Sequence, residues 1–249
     1  MRIAILTIHG VGEQKPGFAD SFHQALVAKL IHNDNLEVGC FELEWQHLIE
    51  SQEEKMKKNL SPLHWDLTRR FALSYVGDVI AYAKDTSFYK NVHSELNKKL
   101  IEINDWLGDD GKLYIIGHSL GTIITFNFIY NLQNVGAMGN QIFKATSVDH
   151  MDRLECLFTF GSPLYIYSLQ RDHGGRPIKV NRWINVYSSF DVIGYPVKTI
   201  NDSFASASYI EDRRVLCGGL LSFWNPLSHG AYLESKKIQN LIVGVIDSK

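Results

Sequence analysis

The amino-acid sequence predicts an α/β fold, a mostly parallel sheet with helices on both faces. Three observations point there. Short apolar runs of strand length alternate along the chain with stretches of helical periodicity. Runs such as "RIAILTI" (2–8) and "LYIIG" (113–117) are apolar at nearly every position, as a strand covered on both faces requires. Finally, no repeat, low-complexity tract or linker divides the 249 residues, which at 45% hydrophobic and 21% charged suffice for one substantial core. One domain spanning 1–249 is expected.

Residues 2–8 open the chain as a buried strand. After the loop "HGVGEQKPG" comes a helix with Phe22, Leu26 and Leu30 on one face. "LEVGCFELEW" (36–45) alternates Phe41, Leu43 and Trp45 against Glu42 and Glu44, a strand with one wet face. Residues 46–62 are mostly polar, with Lys55, Lys57 and Lys58 in a solvated run. Two helical stripes follow, Leu67, Phe71, Tyr75, Val79 and Tyr82, then Val92, Leu96, Leu100, Ile103 and Leu107. Residues 55–107 therefore read as a helical insertion, packed on the sheet or serving as a lid. A strand at 113–116 runs into an apolar helix beginning near Thr122. Beyond it the sequence predicts strands at 154–160 and 182–188, separated by the polar loop "QRDHGGRP". A further strand is expected near "RRVLCGG" (213–219), and a helix from about Gly230 to Asp247 closes the chain.

The composition excludes several classes. A formal net charge of −2 shows no basic excess, so no nucleic-acid partner is expected. Cys40, Cys156 and Cys217 form no C-x-x-C pair, which argues against a disulfide framework or structural zinc and fits a reducing compartment. No H-x-x-x-H pair or comparable ligand spacing occurs, so neither metal nor cofactor is expected. "MRIAILTIHG" lacks the length and cleavage site of a secretory leader. No apolar run reaches the roughly eighteen residues of a transmembrane segment. A soluble, cytoplasmic protein is the expectation.

Chemistry concentrates at Gly117-His118-Ser119-Leu120-Gly121, between the strand at 113–116 and the helix after it. Glycine at both flanks permits a turn too sharp for side chains and leaves Ser119 in a strained conformation at its tip. A serine there needs a base to take its proton and an acid to orient that base. His229 follows the last predicted strand in "NPLSHGAYLES" and is the candidate base, with His173 as runner-up. Asp191 in "SSFDVIGYPV" follows the strand at 182–188 and is the candidate acid. Asp202 is the alternative, while Asp212 is read as preceding a strand and lying at the wrong edge of the sheet. Two backbone N–H groups should face the developing oxyanion, those of Leu120 and Val11, with His9 and Gly10 supporting the loop after the first strand.

Together these segments resemble the α/β-hydrolases of the lipase/esterase type. The residues that carry the resemblance are His9-Gly10, Gly117-His118-Ser119-Leu120-Gly121, Asp191 and His229. The chain starts directly at the oxyanion strand, so a reduced form of the sheet is expected, and Val192 stands where lipases of this kind often have proline. The resemblance implies a hydrolase that forms an acyl-enzyme on Ser119 from a small-molecule or lipid ester. Acyl transfer with the same residues, or a non-catalytic binding module on the same fold, are the alternatives.

Overall fold

A strand apolar on both faces must be covered twice, and the sheet is built to do so. The computed structural model describes residues 1–10, 15–31, 35–48, 82, 86–134, 150–169, 175–217 and 227–248. Its strands are β1 (Arg2–Ile8), β2 (Glu37–Leu43), β3 (Lys112–His118), β4 (Leu154–Phe160), β5 (Trp183–Tyr187) and β6 (Ile210–Arg214). They form one sheet in the order β2-β1-β3-β4-β5-β6, with every neighbouring pair parallel. The helices in the described residues are α1 (Asp20–Leu30), α2 (Thr86–Leu107), α3 (Leu120–Gln133), α4 (Leu164–Ser168), α5 (Asp202–Ala205), α6 (Leu227–Gly230) and α7 (Lys236–Asp247).

Alternation along β1 divides the core. Ala4, Leu6 and Ile8 join the cluster containing Val92, Leu96, Leu100, Ile103 and Leu107 of α2 and the apolar residues of α3. Ile3 and Ile5 join the cluster containing Phe22, Leu26 and Leu30 of α1 and Ile238, Ile242 and Val245 of α7. The strand order reverses between β1 and β3. In an open parallel sheet, the crevice outside the carboxyl ends of two such strands is where ligands bind. Ser119 follows β3 and Gly10 follows β1, so both lie at that crevice.

Three segments differ from the sequence reading. The last strand is Ile210–Arg214, starting before "RRVLCGG". Its residues IEDRR carry no apolar alternation, because β6 is an edge strand whose polar side chains find partners. Asp212 is therefore inside a strand rather than before one. Its carboxylate accepts from Asn185 Nδ2 at 2.7 Å and from the backbone N–H groups of Val197 and Lys198, each at 2.9 Å. The closing helix begins at Lys236, and His229 lies in the separate short helix α6 rather than in a loop. Finally, Glu42 does not simply face water. Its carboxylate accepts the backbone N–H groups of Gly17 and Ala19, just before the positive end of α1. Leu67, Phe71, Tyr75 and Val79 of the first stripe lie outside the described residues, whereas Tyr82 is buried in the core. No described helix is long and apolar enough to cross a membrane.

Candidate active site

At the end of β3 the backbone turns at Ser119 with φ 52° and ψ −124°, the one positive φ at a non-glycine position among the described residues. Such a conformation is costly for a side chain and persists only where neighbouring bonds enforce it. Here they do so on both sides of the residue. Ser119 N–H donates to Phe160 O at 2.9 Å, at the end of β4. Its carbonyl accepts from Thr122 N at 3.0 Å and Thr122 Oγ1 at 2.7 Å, and Thr122 Oγ1 lies 2.8 Å from Ser162 Oγ. Two glycines are required by close approach. A Cβ on Gly121 would sit 2.3 Å from Ile8 O, and one on Gly10 would sit 2.3 Å from Ser119 Cβ. The chain leaving β1 thus lies directly against the serine.

The Ser119 hydroxyl is fully buried and has no hydrogen-bond partner among the described residues, His229 included. Burying a hydroxyl unpaired costs free energy that a structural serine normally avoids.

Asp191 lies four residues beyond the end of β5 and His229 lies in α6, 38 positions further on. The structure brings them together in a buried pair, with His229 Nδ1 donating to Asp191 Oδ2 at 2.9 Å. Asp191 Oδ1 accepts Ile193 N–H at 2.9 Å, and Oδ2 also accepts the Tyr232 hydroxyl at 2.7 Å. Burial works against the charged carboxylate, but the His229, Tyr232 and Ile193 donors outweigh it and hold its pKa down to about 2. The pair is tethered to the serine turn through His118, whose Nε2 donates to the His229 carbonyl at 2.7 Å with the two rings 5.0 Å apart. Burial, reinforced by the neighbouring His229, pushes the His118 pKa down to about 3, so this ring is neutral and acts as a donor.

The remaining candidates sort by their surroundings. Leu120 is the first residue of α3, so its backbone N–H is at the helix N-terminus beside Ser119. Val11 and His173 lie outside the described residues. His9 is buried and stacked on Trp45 with ring centroids 4.7 Å apart. Its Nδ1 donates to Gly10 O at 2.6 Å, its Nε2 accepts Trp45 N–H at 3.3 Å, and Trp45 Nε1 donates to His9 O at 3.1 Å. Burial pushes its pKa down to about 4, so it is a neutral brace for the loop. Asp202 is exposed in the first turn of α5, and Asp212 is held by the three donors already named. Among the described residues neither pairs with a histidine. The sequence reading gave no role to Tyr232, three residues after His229, although a tyrosine within a histidine segment was there to be noticed. Nor did it foresee that His118 would hold the His229 backbone.

No protein-family model and no curated protein matches the chain. Several solved structures are similar to it along most of its length. A cutinase-like protein from Cryptococcus sp. is 10% identical, with 98% of this chain and 93% of that one covered and a TM-score of 0.45. A putative hydrolase of the α/β superfamily from Xanthomonas campestris pv. campestris is 14% identical, with 93% and 96% covered and a TM-score of 0.41. The esterase domain of a Rhodothermus marinus protein is 12% identical, with 97% and 84% covered and a TM-score of 0.35. At such distances the functional reading has to come from this chain's own residues.

Proposed function

We propose that the protein is a serine hydrolase that cleaves uncharged carboxylic esters, from small molecules or lipids, through an acyl-enzyme on Ser119. One observation carries the reading. A buried, unpaired serine hydroxyl sits on a strained turn at the crevice between β1 and β3, and the residue before it holds the backbone of a histidine paired with a buried carboxylate. In this mechanism Ser119 Oγ attacks the ester carbonyl while His229 Nε2 takes its proton. Asp191 fixes the ring through Nδ1 and stabilises the imidazolium. The N–H groups of Leu120 and Val11 receive the oxyanion, the second on sequence position alone. His229 returns the proton to the departing alcohol. Water, activated by the same histidine, then attacks the acyl-enzyme and frees the acid.

The substrate class is supported by the apolar side chains around this edge of the sheet. Ile166 and Leu169 follow β4, while Phe190 and Val192 flank Asp191 after β5; Leu169 and Val192 are 70% and 73% exposed. Of the segment 55–107, α2 packs in the core, and residues 55–81 and 83–85 lie outside the described residues. Fluorophosphonate treatment of the folded protein should modify Ser119, with the modified residue mapped by mass spectrometry. Modification elsewhere, or none, overturns the assignment. On nitrophenyl esters of rising acyl length, burial at ~0.8 kcal/mol per methylene should raise kcat/KM about fourfold per carbon until the pocket is full. A flat profile would defeat the apolar pocket.

A further inference from the structure

The mechanism above uses His229 and Asp191 but assigns nothing to the tyrosine that touches them. Tyr232 is fully buried and stacked on Phe160, the residue whose carbonyl holds the Ser119 N–H. Its hydroxyl accepts the Ser188 backbone N–H at 2.9 Å and lies 2.7 Å from Asp191 Oδ2. A carboxylate oxygen can only accept, so the phenol proton is committed to Asp191. That oxygen is the same one that receives His229 Nδ1–H.

Resting on the hydrolase reading, we propose that Tyr232 is a positioning residue that clamps the acid to the end of β5 and moderates its pull on His229. The clamp is a chain of donors running from Ser188 N–H through the Tyr232 hydroxyl to Asp191 Oδ2. With Ile193 N–H on Oδ1, the carboxylate cannot rotate away from the imidazole. Because Tyr232 lies three residues past His229, the segment that carries the base also carries the group that holds its acid. Burial and the Asp191 charge push the Tyr232 hydroxyl well above its ordinary pKa, so it stays protonated and keeps donating. The other titratable groups here do not compete for the proton near neutral pH. His118, at the end of β3, is neutral, and the Cys217 thiol after β6 is pushed up to about 11 chiefly by burial, with Asp191 adding to it and the Ser235 hydrogen bond and Lys237 opposing. Asp191 is therefore the anion whose strength Tyr232 sets.

A residue that only fills the core would change stability when altered and leave the pH dependence of the chemistry alone. The test is the second-order rate of Ser119 modification by a fluorophosphonate, measured from pH 4 to 9 alongside thermal melting. Tyr232→Phe keeps the ring and removes the donor. It should lower the plateau rate about tenfold and move the acid midpoint of the profile up by about half a pH unit, because the unshared carboxylate favours the protonated imidazole more strongly. A 3-fluorotyrosine placed at position 232 is a stronger donor of nearly the same shape. It should move the midpoint down, and it decides the question alone if the phenylalanine variant does not fold. Wild-type midpoints in both folded variants, whatever the melting temperatures, overturn the positioning role. Failure of the wild-type protein to react at Ser119 would instead bring down the hydrolase reading, and this inference with it.

Discussion

His93 and His229 are both buried histidines with a hydrogen bond from a ring nitrogen, yet their surroundings prepare them for opposite behaviour. His93, on α2, is wholly buried with Nε2 2.7 Å from the Tyr82 hydroxyl and its ring 4.1 Å from that of Tyr89. Burial pushes its pKa down to about 3, because a neutral phenol cannot offset the cost of desolvating an imidazolium. His229 instead has the buried Asp191 carboxylate on Nδ1, which fixes its ring and its tautomer. The difference lies in the partner rather than in the depth of burial. A buried histidine faced only by phenols packs as core, whereas one faced by a buried carboxylate has its ring held in one orientation. The cluster around His93 belongs to the core, whereas His229 is tied through His118 to the turn that carries Ser119.

The comparison can be broken most directly at the proposed nucleophile and base. Ser119→Ala and His229→Ala should each lower kcat on any ester the wild type cleaves by about a thousandfold or more. The double variant should lose little beyond either one, because the two act as a unit. His93→Gln should remain within about threefold of wild type; a loss near that of His229→Ala would erase the contrast. Next come Gly10→Ala and Asp191→Asn, each expected to cost about a hundredfold. The first forces Ser119 to move, since its Cβ would lie 2.3 Å from the serine Cβ. The second removes the acid's charge and sets the wrong tautomer. Asp202→Asn should leave the rate unchanged. Asp212→Asn should lower stability by about 1–3 kcal/mol through its backbone donors, with kcat within about threefold. If either proved more damaging to kcat than Asp191→Asn, the acid would be misassigned.

A separate effect is one of pH on stability. His9 and His93 are held neutral in the folded chain at about 4 and about 3, against 6.5 for an unperturbed histidine. Between pH 6.5 and 4 the unfolded chain therefore binds protons that the folded chain refuses, so stability falls as pH falls through that window. For His9 the loss amounts to about 3 kcal/mol at pH 4. Denaturant midpoints measured at several pH values should trace this slope. His93→Gln should make it shallower by up to one proton, while an unchanged slope would mean that His93 is not held neutral.

Much of this architecture was legible in the chain. The strands at 2–8 and 154–160 coincide with their apolar runs, because central strands need apolar residues on both faces and little else in the sequence looks like that. β6 was placed too late, near 213–219, since an edge strand can be polar when neighbouring backbone donors satisfy it. The glycine-flanked turn was legible because part of its cause is local: a Cβ on Gly117 would sit 3.0 Å from Gly121 O and Thr122 Cα.

What the sequence determined by itself was therefore the element order, the positions of the chemistry-bearing residues and their order along the chain. Which of them would meet was decided by tertiary structure. Asp191 rather than Asp202 or Asp212 reaches His229 because the segments after β5 and β6 converge on the same end of the sheet, across 38 positions of sequence. His118 holds the His229 carbonyl across 111 positions, and Tyr232 holds Asp191 across 41. No local propensity encodes these bonds. They follow from strand order and register, which fix where each loop ends, and from the cost of burying a polar group unpaired, which selects the side chains that remain inside.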